Sequence, residues 1–183
     1  MFANLMRTIK PASGGGGIET IGSTTIGAAT NGGYYAGTIS DGGVTYHLIA
    51  APKGSGDPTM SWDSADYDEE YDTGATSVTN GPSNTSILIS DPGRFDAAEY
   101  CDALNVGGKT DWYLPAKNEL AVLYAAKAAF SAAGQAFAAA VYWSSTEYGT
   151  HYAWCQHLVS GEQSSGLDKG GSIYVRAVRR LPI

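Results

Sequence analysis

Two helix-start signals lie together in the middle of this chain, with strand patterns on both sides of them. The first is Asp91-Pro92 and the second is Trp112-Tyr113-Leu114-Pro115. Pro suits the first helical position because the N–H it lacks would have no partner there, and Asp before it can accept from the free amides of the first turn. The first signal predicts a helix to about Leu104, with Phe95, Ala98, Cys101 and Leu104 at three-residue spacing and Gly107-Gly108 just past its end. The second carries Leu120, Leu123 and Tyr124 on one side and runs on through the alanine-rich residues 125–140, interrupted at Gly134. Upstream, residues 34–39 and 44–51 read as strands around an Asp41-Gly42-Gly43 turn. Downstream, residues 141–145, 152–159 and 172–181 read as strands, and 87–89 as a shorter one. In the last strand Ile173, Val175, Ala177 and Val178 are expected inward, and Arg176, Arg179 and Arg180 mostly outward. Helices set between strands rather than alternating with them predict an α+β fold on an antiparallel sheet.

Composition bounds the partners. Apolar residues make up 43% of 183, enough for a core. Charged residues are only 16%, against ~25% in ordinary soluble domains. With 24 Gly and 12 Tyr this describes a loop-rich, strand-rich domain. A formal net charge of −7 opposes a phosphate backbone, so no nucleic-acid partner is expected. No apolar run nears the ~18 residues of a membrane span, so no membrane insertion is expected. Residues 1–10 carry Arg7 and Lys10 without a long apolar stretch, and synthesis in a cytoplasm is the expectation. Cys101 and Cys155 read as reduced, packed thiols, with one disulfide as the alternative, and no Cys or His pair has zinc spacing.

Residues 1–31 differ from the rest and are read as an N-terminal arm, with 32–183 as the folded domain. Phe2, Leu5, Met6 and Ile9 fall at i, i+3, i+4 and i+7, a helical stripe too short to stand alone. Gly14 to Gly17 then form a flexible joint. The arm is expected to order against another subunit.

Residues 57–85 are a long polar excursion without clear period, of the kind that is functional or mobile. Trp62, Asp63, Tyr67 and Tyr71 lie in it, and with Tyr148 they form the candidate contact set, flat faces among short polar groups. Asp63, Asp66, Asp68 and Asp72 could offer oxygens to a hard cation such as Ca²⁺. Their spacing fits no EF-hand, so a solvated acidic face is the favoured reading and no metal is assigned.

Three strings carry a resemblance: residues 111–120 (DWYLPAKNEL), 142–147 (YWSSTE) and 174–179 (YVRAVR), with Gly33-Tyr-Tyr-Ala-Gly37 and His47-Leu-Ile-Ala-Ala-Pro52 ahead of them. Over roughly residues 32–183 the chain resembles the collagen-like-lectin C-terminal domain family, in particular its phage-encoded members. The resemblance implies a C-type-lectin-like fold: a twisted antiparallel sheet, two helices and a long loop region. Trp112, Leu114, Pro115, Glu119, Trp143, Ser144, Ser145 and Arg176 are then fold determinants. Glu119 is placed to reach back to the helix start, but Ala116 stands where the family usually has Thr, so the hydroxyl half of a capping box is missing. Relatives often carry Cys where Ala177 stands, which removes the ordinary partner of Cys101.

Catalysis finds little support in the residues. Cys155 and His157 share a strand face, yet nothing supplies an orienting group or an oxyanion hole, and no catalytic residue is assigned. Resemblance and arm together imply a non-enzymatic phage virion protein, made in the host cytoplasm and displayed on the head or a tail fibre. Its expected partners are capsid or tail subunits through the arm, further copies of itself (a trimer among the symmetric options), and a host-surface glycan or protein. The alternatives are a bacterial cell-surface lectin or adhesin, and a cysteine-dependent enzyme of related fold.

Overall fold

The computed structural model describes residues 19–55, 57–65 and 71–183. The arm residues Phe2, Leu5, Met6 and Ile9, and Asp66, Tyr67 and Asp68 of the polar excursion, lie outside these. Within them, β1 (Ala29–Thr30), β2 (Gly33–Asp41) and β3 (Val44–Ala50) are followed by a helical turn at Lys53–Ser55 and by β4 (Thr59–Met60). Three helices come next: α1 (Gly81–Leu88), α2 (Asp96–Ala103) and α3 (Lys117–Ala132). Then come β5 (Val141–Glu147), β6 (Tyr152–His157), β7 (Gln163–Asp168), β8 (Ile173–Tyr174) and β9 (Val178–Pro182). The class is α+β.

The strands form two sheets, ordered β1-β2-β3-β9 and β4-β8-β5-β6-β7. Every pairing is antiparallel except the single parallel contact of β5 with β8. The expected final strand is one extended stretch that changes sheets: Ile173 and Tyr174 pair in the second, and 178–182 pair with β3 in the first. The β2–β3 hairpin closes on Gly42 and Gly43 at φ 57° and 83°, the left-handed pair that a two-residue turn needs to match strand twist.

Side chains of β3 alternate between two cores. Leu48 and Ala50 pack with Leu120, Leu123 and Phe130 of α3, whereas Ile49 joins Leu88, Phe95, Cys101, Trp112, Leu114 and Trp143 on the other face. The helices therefore cover opposite faces, α3 on one and α1–α2 on the other.

Three expectations are corrected. A third helix, α1, replaces the strand expected at 87–89; Asn80 caps it by accepting from the Ser83 N–H at 3.0 Å. The first expected helix starts at Asp96 rather than at Asp91-Pro92, because Gly93 turns left-handed (φ 82°) and interrupts the run. Arg176 and Arg179, expected outward, are buried. Arg179 makes two 2.8 Å hydrogen bonds to Asp111 and two, at 3.1 and 2.8 Å, to Glu19, whose carboxyl it pulls down to about 2. Glu19 and β1, both placed in the arm on sequence, are thereby joined to the folded domain.

Candidate functional site

The second sheet has a break in its ladder that organises everything around it. Trp143 pairs with Cys155 and Glu147 with Ala153, so Ser144, Ser145 and Thr146 together oppose the single residue Trp154. The bulged residues turn their polar groups toward other segments. The Ser144 carbonyl accepts from the Trp62 indole N–H at 2.8 Å, and the Ser145 N–H donates to the Pro115 carbonyl at 2.8 Å. The Thr146 hydroxyl donates to the Ser77 carbonyl and accepts from the Lys117 N–H, at 2.8 and 2.9 Å. That last bond caps α3 from across the fold, supplying the hydroxyl Ala116 lacks. Glu119 provides the other half, accepting from the Ala116 N–H and the Tyr113 hydroxyl, each at 2.8 Å. Burial pushes the Glu119 carboxyl up to about 7, against the pull of those bonds and of Arg180.

The start and a mid-point of the polar excursion are fastened by buried ion pairs. At its start Asp57 takes a two-point contact from the Arg176 guanidinium and accepts from the Tyr142 hydroxyl at 2.9 Å, while Arg176 also reaches the Ala51 carbonyl. Midway along it the Glu147 carboxylate is clasped by the Thr73 N–H, the Thr73 hydroxyl and the Gly74 N–H, and pairs with Lys169. Neither Lys169, Glu147 nor Asp57 stood out in the sequence. Glu147 ends a motif string, but Lys169 follows a polar stretch that carries no period.

Two of the sequence-named aromatics, Tyr71 and Tyr148, are accessible. Tyr148 is 59% exposed and stands edge-on to Trp154, and the Lys117 ammonium lies 3.4 Å from the Trp154 ring centroid. Tyr71 is exposed, with the Arg94 guanidinium 4.1 Å over its ring. Of the candidate contact set, Tyr71 and Tyr148 are thus surface groups. Trp62 is corrected: it is 1% exposed and belongs to the core, edge-on to Phe95. Asp63 is buried and held by Arg94 at 3.1 Å. Asp72 accepts from the Gly74 N–H, and among the described residues no cluster of three His, Cys, Asp or Glu is placed to hold a metal. Trp112, Leu114, Pro115, Trp143, Ser144 and Ser145 are all buried. Among the described residues no helix is long and apolar enough to cross a membrane.

The thiols are free and buried. Burial lifts Cys101 well above the ordinary range and Cys155 to about 11. The Cys155 S–H is turned to the Ser164 carbonyl at 3.3 Å, and His157 Nδ1 accepts from the Val159 and Ser160 N–H groups. His157 therefore closes its own turn.

These buried strings decide the family. The Lcl C-terminal domain model matches residues 49–179. The chain belongs to the Lcl C-terminal domain family. No curated protein sequence matches this Lcl domain. Among solved structures, a fimbrial protein from Bacteroides ovatus is similar to it at a TM-score of 0.52 and 16% identity, over 72% of this chain. The likeness takes in 35% of that protein, so this chain corresponds to about a third of it. At that identity it bears on fold alone.

Proposed function

We propose that this Lcl domain is a non-catalytic display module of C-type-lectin-like fold, carried on a phage particle as a head or tail-fibre decoration. The observation that carries the reading is how the motif groups are used. Trp143, Ser144, Ser145, Glu147 and Arg176 are spent on holding the polar excursion in place, and exposed aromatics flank it. Tyr71 and Tyr148 offer flat apolar faces with a polar tip, the composition of a surface that contacts glycan or protein. Thiols held protonated are poor nucleophiles, which supports a non-enzymatic role. Residues 1–18 would fasten the domain to a capsid or tail subunit, and symmetric sites on a particle would favour a homo-oligomer.

Mass spectrometry of purified particles tests the assignment: the chain should be present in a copy number that matches a symmetric site. Deleting residues 1–17 should leave a folded domain that no longer joins particles. Normal incorporation of the truncated chain would refute the anchoring role.

The fimbrial protein that shares the fold favours a second reading, an adhesin on a bacterial surface. Protease shaving of intact cells separates the two, since an adhesin would be released and a virion protein made in the cytoplasm would not.

A further inference from the structure

Lys169 joins three separate segments, 62–63, 71 and 147–151. Its N–H donates to the His151 carbonyl at 3.0 Å, and its carbonyl accepts from the N–H groups of Trp62 and Asp63 at 2.8 and 3.1 Å. Its side chain is 4% exposed and lies 4.8 Å from the Trp62 ring centroid. An ammonium has three protons to give and no acceptor. Here each finds an oxygen: the Glu147 carboxylate, the Tyr71 carbonyl at 3.2 Å and the Thr150 carbonyl at 2.8 Å. The other side of Glu147 is filled by donors from Thr73 and Gly74. Carboxylate and carbonyl oxygens converging on one point are what a loop offers to a bound cation, and a covalently attached ammonium occupies that point.

We propose that Lys169 is the resident cation of the long loop: it fixes residues 71–75 and 148–151 against each other, and so sets the positions of Tyr71 and Tyr148 without a metal ion at that point. Lys169 is a positioning residue, since its ammonium is buried and acts through Glu147 and the loop backbone. The inference does not rest on what the exposed aromatics contact, because loop order is measured with no ligand present.

Hydrogen exchange on the full chain tests it. The Thr73 and Gly74 amides should be protected in the wild type, equally in excess EDTA and in millimolar Ca²⁺. Lys169→Met keeps the apolar stem and removes the charge; it should speed exchange at these amides about tenfold or more, with β2 and β3 unchanged. Adding a small alkylammonium salt to Lys169→Ala should restore protection in part. Because Lys169→Met leaves Glu147 buried without its partner, the neutral pair Glu147→Gln/Lys169→Met is measured beside it and should also exchange faster at the loop. Wild-type protection in that pair, loss of wild-type protection in EDTA, or exchange rising equally in β2 and β3 of both variants would each overturn the proposal.

Discussion

The Arg176 guanidinium, buried to 1% exposure, closes on the Asp57 carboxylate 119 positions earlier in the chain. Arg176 lies on the stretch where the final strand changes sheets, and Asp57 opens the polar excursion, so one contact holds the sheet junction and the loop together. The planar fork also stacks 4.7 Å from the Phe137 ring centroid. Replacing Arg176 with Met leaves the buried Asp57 carboxylate without its cation and the Ala51 carbonyl without that donor, and should cost about 3–5 kcal/mol in urea unfolding. Lys at this position should recover little, since it offers a point charge in place of a two-point fork.

Glu119 and Glu19 give stability opposite pH dependences. Glu119 is raised from 4.5 to about 7 in the fold, so the folded chain holds this proton more tightly than the unfolded one. Stability from this group is complete below about 4.5 and falls as pH rises through about 7, by up to about 3 kcal/mol. Glu19 is lowered to about 2, so its contribution is present above 4.5 and fades as pH falls toward 2. Urea melts of Glu119→Gln should lack the decline between pH 5 and pH 8, while Glu19→Gln should lose the acid-side decline. A decline unchanged in Glu119→Gln would assign it to another group.

Trp62 and Tyr148, read together from sequence as contact residues, should separate by experiment. Trp62→Ala removes a core side chain and its bond to Ser144, and should destabilise by about 3–5 kcal/mol. Tyr148→Ala should alter stability by no more than about 0.5 kcal/mol, since the ring is largely in water. Under the function proposed above, it should nevertheless weaken attachment to the target surface, measured with the folded variant in a pull-down on cells.

Gly81 begins α1 in a space with no room for a side chain. A Cβ there would stand 2.3 Å from the Glu119 carboxylate and 2.6 Å from the Tyr113 ring. Gly81→Ala should therefore lower the urea midpoint by the equivalent of about 1–3 kcal/mol, the range for overpacking, although alanine favours helix more than glycine does.

The thiols should be silent toward a thiol reagent at neutral pH in the folded chain and react fully in urea, where two equivalents are expected per chain. Rapid labelling of the native protein would contradict their burial.

The sequence alone determined what depends on neighbours along the chain. Hairpin β2–β3 follows from Gly42-Gly43, α3 from its apolar spacing behind Pro115, and α+β from helices grouped between strands. Helix α1 was not legible, because the apolar Ile87-Leu88-Ile89 run resembles a strand when read by periodicity. The tertiary structure alone decided which charges go inside. Alternation marked Arg176 and Arg179 as solvent-facing because a pattern records only their own strand, while their carboxylate partners, Asp57 and Asp111, are 119 and 68 positions away. For the same reason the hydroxyl that caps α3 comes from Thr146, and the cation that closes the long loop comes from Lys169. A buried charge is tolerable only where the fold delivers its partner, and no local sequence signal specifies that delivery.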